Sequence, residues 1–104
     1  MLVPFPDVER LGEKKRPAVV VSADSYHAKC SDIIAAQITS RRNPPPRPGD
    51  HRLRDWQTAG LVTPSLVRAR LASFHQSRVV KKLGRASPHD MAGVDIGLRA
   101  ALAL

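Results

Sequence analysis

The chain has a single cysteine, Cys30, and no long apolar segment. One cysteine cannot form an internal disulfide, and a chain without a second cysteine lacks the paired cysteine ligands of the usual structural zinc sites, so both are disfavoured. No apolar run approaches the roughly 20 residues that a membrane-spanning helix needs, and the first residues lack the basic start and apolar stretch of a secretion signal. We therefore expect neither a disulfide-stabilised nor a membrane-spanning fold, and a cytoplasmic location.

Acidic residues are scarce. Nine Asp and Glu stand against seventeen Lys and Arg, giving a formal net charge of +8, and residues 41 to 85 hold eleven basic side chains and only two acidic ones. Such a bias favours a polyanionic partner through phosphate neutralisation, and arginine suits bidentate phosphate contact. Nucleic acid is the first candidate partner and an acidic protein the second, while a basic surface that serves only solubility remains the structural alternative.

Length and composition predict one small globular domain over residues 1–104. The chain is 42% hydrophobic, which is typical of a folded protein and not of a disordered one. A chain of 104 residues can bury a modest core but not two independent ones.

Two apolar segments rich in β-branched residues, 14–21 and 32–40, predict short buried strands. Because they are joined by only ten residues, Ser22 to Ser31, we expect them to pair antiparallel.

A register with Val20 opposite Ala35 would set Arg16 opposite Thr39. Side chains alternate between the two faces of a strand, so Arg16, Gln37 and Thr39 would share one face, and the opposite face would be the drier one. The pattern therefore predicts a guanidinium and a hydroxyl close together at one end of a strand pair.

The remaining sequence predicts a mainly β fold with one clear helix. The Pro- and Arg-rich stretch Ser40–Asp50 indicates an irregular loop. Ser87 can cap a helix that begins at Pro88, with Asp90 in its first turn. The other predicted elements are strands at Leu2–Phe5, His51–Asp55 and Ser65–Phe74, a helical turn at Asp55–Leu61 and an apolar helix stripe of Met91, Val94, Leu98, Ala101 and Leu102.

Six segments in one order resemble the MazF/PemK family of toxin endoribonucleases from bacterial toxin–antitoxin modules. They are VPFPD (3–7), KKRPAVVVS (14–22), DIIAAQITS (32–40), the Pro-rich loop, DWQTAGLVTPSLVR (55–68) and KKLGRASPHDM (81–91). The resemblance extends from Leu2 to Leu104. Each segment alone is weak, but the six in this order are specific.

The resemblance implies a small SH3-like β-barrel with peripheral helices, of the MazF/PemK/CcdB toxin type, that acts as a homodimer. It also implies cleavage of single-stranded RNA, chiefly messenger RNA, at short sequence motifs without a metal or other cofactor. An acidic antitoxin, MazE/PemI-like, would occupy the RNA groove.

Carried over by position, the resemblance gives Arg16 and Thr39 the leading catalytic roles and Arg68 a role in binding or stabilising phosphate. Where some members have an aspartate two positions after that later arginine, this chain has Arg70. The expected RNA-binding residues are Lys14, Lys15, Gln37, Ser40, Arg41, Arg42, Arg47, Arg70 and His75.

The chemistry fits these residue types. Attack of the RNA 2′-hydroxyl on phosphorus builds negative charge on the phosphoryl oxygens, which fixed guanidinium donors stabilise. Arginine is a poor base near neutrality, so a histidine, one of His27, His51 and His75, is an alternative proton acceptor. Two other functions stay open at this stage, a CcdB-like toxin that poisons DNA gyrase by protein contact and a non-catalytic RNA-binding barrel.

Overall fold

The structure is a computed structural model that describes residues 2–5, 16–40, 47–79 and 81–104. These residues form five strands, two α-helices and one 3₁₀ turn, Gln76–Arg78. The strands are β1 (Leu2–Phe5), β2 (Arg16–Val20), β3 (Asp32–Thr39), β4 (His51–Arg52) and β5 (Leu66–His75), and the α-helices are α1 (Asp24–Lys29) and α2 (Pro88–Leu102).

The strands make one antiparallel sheet in the order β1-β2-β3-β5-β4, which curls into a half-barrel. The predicted mainly β fold with a C-terminal helix is therefore confirmed. So is the short edge strand that begins at His51, although β4 has only two residues. The β3–β5 ladder shifts register between Ala36 and Ile38, opposite the stretch of β5 that carries Arg68 and Arg70.

One face of the sheet, here called the helix face, packs against α2. Val19, Ala36 and Ile38 of β2 and β3 form a buried cluster with Val94 of α2, and Trp56 packs against it. Further members are Leu2, Leu53, Ala59, Val67 and Ala86. This is the larger apolar core, and it fixes α2 to the sheet by burial of apolar surface.

The opposite face, here called the outer face, carries Ala35, Gln37 and Thr39 of β3. The expectation that it is the more polar face is only partly correct, because its other half holds a second buried cluster. That cluster consists of Val3, Ala18, Val20, Ile33, Ala35 and Phe74. The outer face is therefore polar only towards the end of β3 at Thr39.

Helix α2 begins as its sequence predicts. The Ser87 hydroxyl accepts a hydrogen bond from the backbone N–H of Asp90 at 3.1 Å, and Pro88 occupies the first turn. Met91 and Leu98 of the predicted stripe pack on the core, whereas Leu102 is 49% exposed. The stripe thus covers the sheet along most, but not all, of the helix.

Sequence reading missed helix α1, which lies in the connection from Ser22 to Ser31. The expected single turn at Asp55–Leu61 is present: the backbone N–H of Ala59 donates to the Asp55 carbonyl, four residues earlier, at 3.2 Å, and Gly60 follows with a φ of 94°. The turn does not continue into a longer helix. No helix in the described ranges has the length and apolar character needed to cross a membrane.

Candidate active site

The predicted strand register is confirmed where it can be compared. Val20 pairs with Ala35, and the β2–β3 ladder runs as far as Ala18 opposite Gln37. Two more residues in the same register would bring Arg16 opposite Thr39. On its other side, Arg16 pairs with Phe5 of β1, and the guanidinium-bearing side chain is exposed.

Thr39 lies in a row that crosses three strands. It pairs with Leu66 of β5, and Leu66 pairs in turn with Arg52 of the edge strand β4. Thr39 is 8% exposed and Leu66 is 2% exposed, whereas Arg52 is exposed. The Thr39 side chain is therefore sheltered, and Arg52 lies two strands away from it in the same row.

Arg68 is held by a carboxylate. Its Nε and Nη2 donate to the two oxygens of Asp50 at 3.1 and 2.9 Å, a bidentate pair whose side chains are 13% and 5% exposed. Burial raises the pKa of Asp50, but the bonds from Arg68 and from the backbone N–H of Arg47 outweigh it and lower the pKa. Both members of the pair are therefore ionised near neutrality.

The pair fixes the end of the Pro-rich loop. The backbone N–H of Asp50 donates to the Arg47 carbonyl at 3.0 Å, and Pro48 and Gly49, with φ of 92° at Gly49, occupy the central positions that a type II turn requires. A side chain at Gly97 of α2 would come within 2.3 Å of the Gly49 carbonyl oxygen. The turn thus rests against the helix backbone while Asp50 ties it to β5.

The other expected RNA-binding residues occupy different parts of the chain. Ser40, Arg47 and Arg70 are exposed, and Gln37 is buried at 6% exposure. His75 lies nine residues along β5 from Leu66, roughly 30 Å at the usual rise per residue, so the structure does not bring it near Thr39. Lys14, Lys15, Arg41 and Arg42 lie outside the described residues.

Each of the three candidate histidines contacts a polar side chain. His27 is hydrogen-bonded to Ser22 and His75 to Ser77, while the Nε2 of His51 lies 2.9 Å from a carboxylate oxygen of Asp90. His51 is on the helix face, away from Thr39.

Sequence reading did not anticipate the second role of Asp90. It is 0% exposed, and besides His51 it accepts the backbone N–H groups of Arg54 and Asp55 at 2.9 Å each. Burial raises the pKa of Asp90, but these hydrogen bonds outweigh it and lower the pKa to about 2. Asp90 therefore joins the start of α2 to the segment after β4. Its position in the first helical turn was visible in the sequence, but its partners 35 to 39 residues away were not.

No group of three His, Cys, Asp or Glu side chains within the described ranges is arranged to hold a metal ion. Guanidinium and hydroxyl groups, the side chains that the sequence proposes for this site, donate hydrogen bonds and suit an anionic group such as a phosphate.

Solved structures share this fold. An endoribonuclease from a mycobacterial species, in complex with its cognate antitoxin, is 20% identical with a TM-score of 0.79, over 99% of this chain and 92% of that chain. The toxin MazF-mt6 of Mycobacterium tuberculosis is 14% identical with a TM-score of 0.76, over 98% and 94%. MazF of Deinococcus radiodurans is 23% identical with a TM-score of 0.74, over 99% and 93%.

A search of curated protein sequences finds no match. The family model described as PemK-like, MazF-like toxin of type II toxin-antitoxin system matches residues 1–102. Because that match spans nearly the whole chain and the structure has the same fold as MazF toxins, this protein belongs to the PemK-like, MazF-like toxins of type II toxin–antitoxin systems.

Proposed function

We propose that this toxin is an endoribonuclease that cleaves single-stranded RNA, chiefly messenger RNA, at short sequence motifs and without a metal. Membership of the family supports the proposal, as does the shared fold with a mycobacterial endoribonuclease. The observation that carries it is the β2–β3 register, which ends two residues short of setting Arg16 opposite Thr39.

In the proposed reaction the RNA 2′-hydroxyl attacks the adjacent phosphorus. The new O2′–P bond closes a 2′,3′-cyclic phosphate as the P–O5′ bond breaks, and the proton lost from O2′ is balanced by one gained at O5′. Arg16 donates to the phosphoryl oxygens, where negative charge grows in the transition state. Thr39 orients the phosphate by hydrogen bonding, and Arg68 adds the N–H groups that Asp50 does not use.

The polar and basic residues near the proposed cleavage site would bind the rest of the RNA. Ser40, Arg47 and Arg70 are exposed donors, and Lys14, Lys15, Arg41 and Arg42 belong to the same proposed binding set. Thr39 is only 8% exposed, so the scissile phosphate would reach it from the side of the exposed arginines.

We further propose that the protein works in the cytoplasm, as a single domain and a homodimer, and that an acidic antitoxin silences it. The net charge of +8 suits an acidic partner, and the similar mycobacterial endoribonuclease was solved in complex with its cognate antitoxin.

The test is incubation of the purified protein with a long RNA in the presence of EDTA. We expect discrete fragments whose 3′ ends carry a cyclic phosphate. Arg16→Ala and Thr39→Ala should leave the RNA intact over the same period, while Arg99→Gln, an equal loss of charge on the exposed surface of α2, should cut as the wild type does.

Three results would contradict the proposal: RNA that stays intact, cleavage that needs a divalent ion, or equal cleavage by the double variant Arg16→Ala/Thr39→Ala. Intact RNA together with inhibition of DNA gyrase would favour a CcdB-like toxin. RNA binding without cutting would favour a non-catalytic RNA-binding barrel.

A further inference from the structure

The row of Thr39 ends in an arginine that the sequence did not single out. Partners in an antiparallel ladder lie on the same face of the sheet, so Thr39, Leu66 and Arg52 all lie on the outer face. Two strand spacings separate β3 from β4, roughly 10 Å. Arg52 is thus on the side of Thr39 opposite to β2, the strand of Arg16.

The neighbours of Arg52 give an independent check on its direction. His51 and Leu53 both point to the helix face: His51 bonds to Asp90, and Leu53 is 7% exposed within the core that includes Val94. Because successive side chains alternate, Arg52 points to the outer face, where it is exposed.

The two arginines of this region differ in their charge balance. Arg68 is neutralised by Asp50 through two hydrogen bonds. Among the residues that the structure describes, Arg52 has neither a hydrogen bond from its side chain nor an ion pair. Its full charge and all five N–H donors are available to a ligand.

We propose that Arg52 binds a backbone phosphate of the RNA next to the scissile one, and so sets the path of the strand across the outer face. The inference rests on the proposed function. The separation from Thr39 makes Arg52 a binding residue for a neighbouring phosphate and not a catalytic residue. RNA is favoured over an acidic protein segment because Arg52 lies in the row of Thr39, the residue proposed to orient the scissile phosphate. Its planar fork can then hold the neighbouring phosphate with two hydrogen bonds.

The experiment compares Arg52→Gln with Arg99→Gln, which removes the same charge from α2, the element packed on the opposite face. Cleavage kinetics of a short RNA with one cut site separate KM from kcat. Binding is measured with the same RNA carrying a 2′-deoxy group at the cut site, which cannot be cleaved. The series is repeated from 50 to 300 mM salt.

For Arg52→Gln we expect KM and the Kd of the 2′-deoxy RNA to rise about three- to tenfold at low salt, because one charge-assisted contact is lost. The kcat should stay within about twofold, since the contact is equal in the ground and transition states. The slope of log K against log salt should fall by about 0.7, the value for one phosphate on a single strand. Arg52→Lys should keep the slope, and Arg99→Gln should match the wild type.

Two outcomes overturn the inference: unchanged KM and Kd in Arg52→Gln, or weaker binding of an acidic antitoxin segment with RNA binding unaffected. A wild type that cleaves no RNA would defeat the proposed function alone, because the 2′-deoxy RNA still decides whether Arg52 binds the strand. Equal melting temperatures of wild type and Arg52→Gln exclude a folding defect as the cause.

Discussion

Two low-pKa carboxylates, Asp50 and Asp90, flank the same short edge strand from opposite faces of the sheet. On the helix face Asp90 is fully buried and accepts hydrogen bonds from His51 and from two backbone N–H groups. On the outer face Asp50 is bound by the guanidinium of Arg68 and one backbone N–H. One network consists largely of backbone donors, and the other is centred on a side chain at the proposed RNA surface.

The difference separates stability from function. The backbone N–H groups of Arg54 and Asp55 are fixed parts of the chain, so their hydrogen bonds to Asp90 hold the segment after β4 against the start of α2. The Arg68–Asp50 pair joins two side chains, one of which belongs to the proposed site. We therefore expect substitutions on the helix face to act mainly on the stability of the fold, and substitutions on the outer face to act mainly on RNA binding and cleavage.

The largest expected effect is on the outer face. Arg16→Ala should reduce the rate of RNA cleavage by about 10² to 10³, the usual cost of removing a donor that stabilises transition-state charge. Because Arg16 is exposed, the melting temperature should not change. Single-turnover cleavage and thermal unfolding of the same preparation check both points. A rate within a fewfold of wild type would remove Arg16 from the reaction.

On the helix face, Asp90→Asn should lower the free energy of unfolding by about 2 to 3 kcal/mol, because an amide cannot replace an ionised acceptor of several hydrogen bonds. Asp95→Asn, at an exposed position of α2, is the matched control and should change stability by less than about 0.5 kcal/mol. Urea unfolding measures both. Wild-type stability in Asp90→Asn would contradict a stabilising role for the helix face. A cleavage rate per folded molecule as low as that of Arg16→Ala would contradict the assignment of function to the outer face alone.

Asp50→Asn should lower the free energy of unfolding by less, about 1 to 2 kcal/mol, because the amide oxygen can still accept a hydrogen bond from Arg68 and only the charge of the pair is lost. It also releases the charge of Arg68, so the Kd for RNA should fall. Urea unfolding measures the change in stability, and RNA titration at low salt measures the change in Kd. Weaker RNA binding in this variant would show that the anchored turn matters more to the site than the freed charge.

The smallest effect is a pH dependence. The pKa of Asp90 in the fold, about 2, is below its ordinary 3.8, so its contribution to stability is complete above about pH 4 and is lost as the pH falls towards 2. The pKa of Asp50 is lowered in the same sense. Urea midpoints between pH 5 and 2.5 should fall less steeply in Asp90→Asn than in the wild type. Identical slopes in the two proteins would contradict the assignment of the shift to Asp90.

The sequence predicted what depends on neighbours along the chain. The alternation in β2 and β3 and the length of their connection were enough for the Val20–Ala35 register. The Ser87–Pro88 pair was enough for the start of α2. These signals are local, and no other part of the molecule overrides them.

What the sequence could not predict depends on distant partners or on short elements. Helix α1 has six residues, no buried side chain and no side-chain cap at its start, so it leaves no periodic pattern. The contacts of Asp90 with His51 and of Arg68 with Asp50 join residues 39 and 18 positions apart. The role proposed for Arg52 appears only once β4 is placed beside β5 and not elsewhere on the sheet.

The close approach of Gly49 to Gly97 limits which residues either position can hold. A Cβ at Gly97 would lie 2.3 Å from the carbonyl oxygen of Gly49, and one at Gly49 would lie 3.2 Å from the carbonyl oxygen of Gly97, while the φ of 92° at Gly49 also disfavours other residues there. Because Asp50 follows this turn and binds Arg68, an alanine at Gly97 would displace the turn and so carry a change on α2 to the Arg68–Asp50 pair.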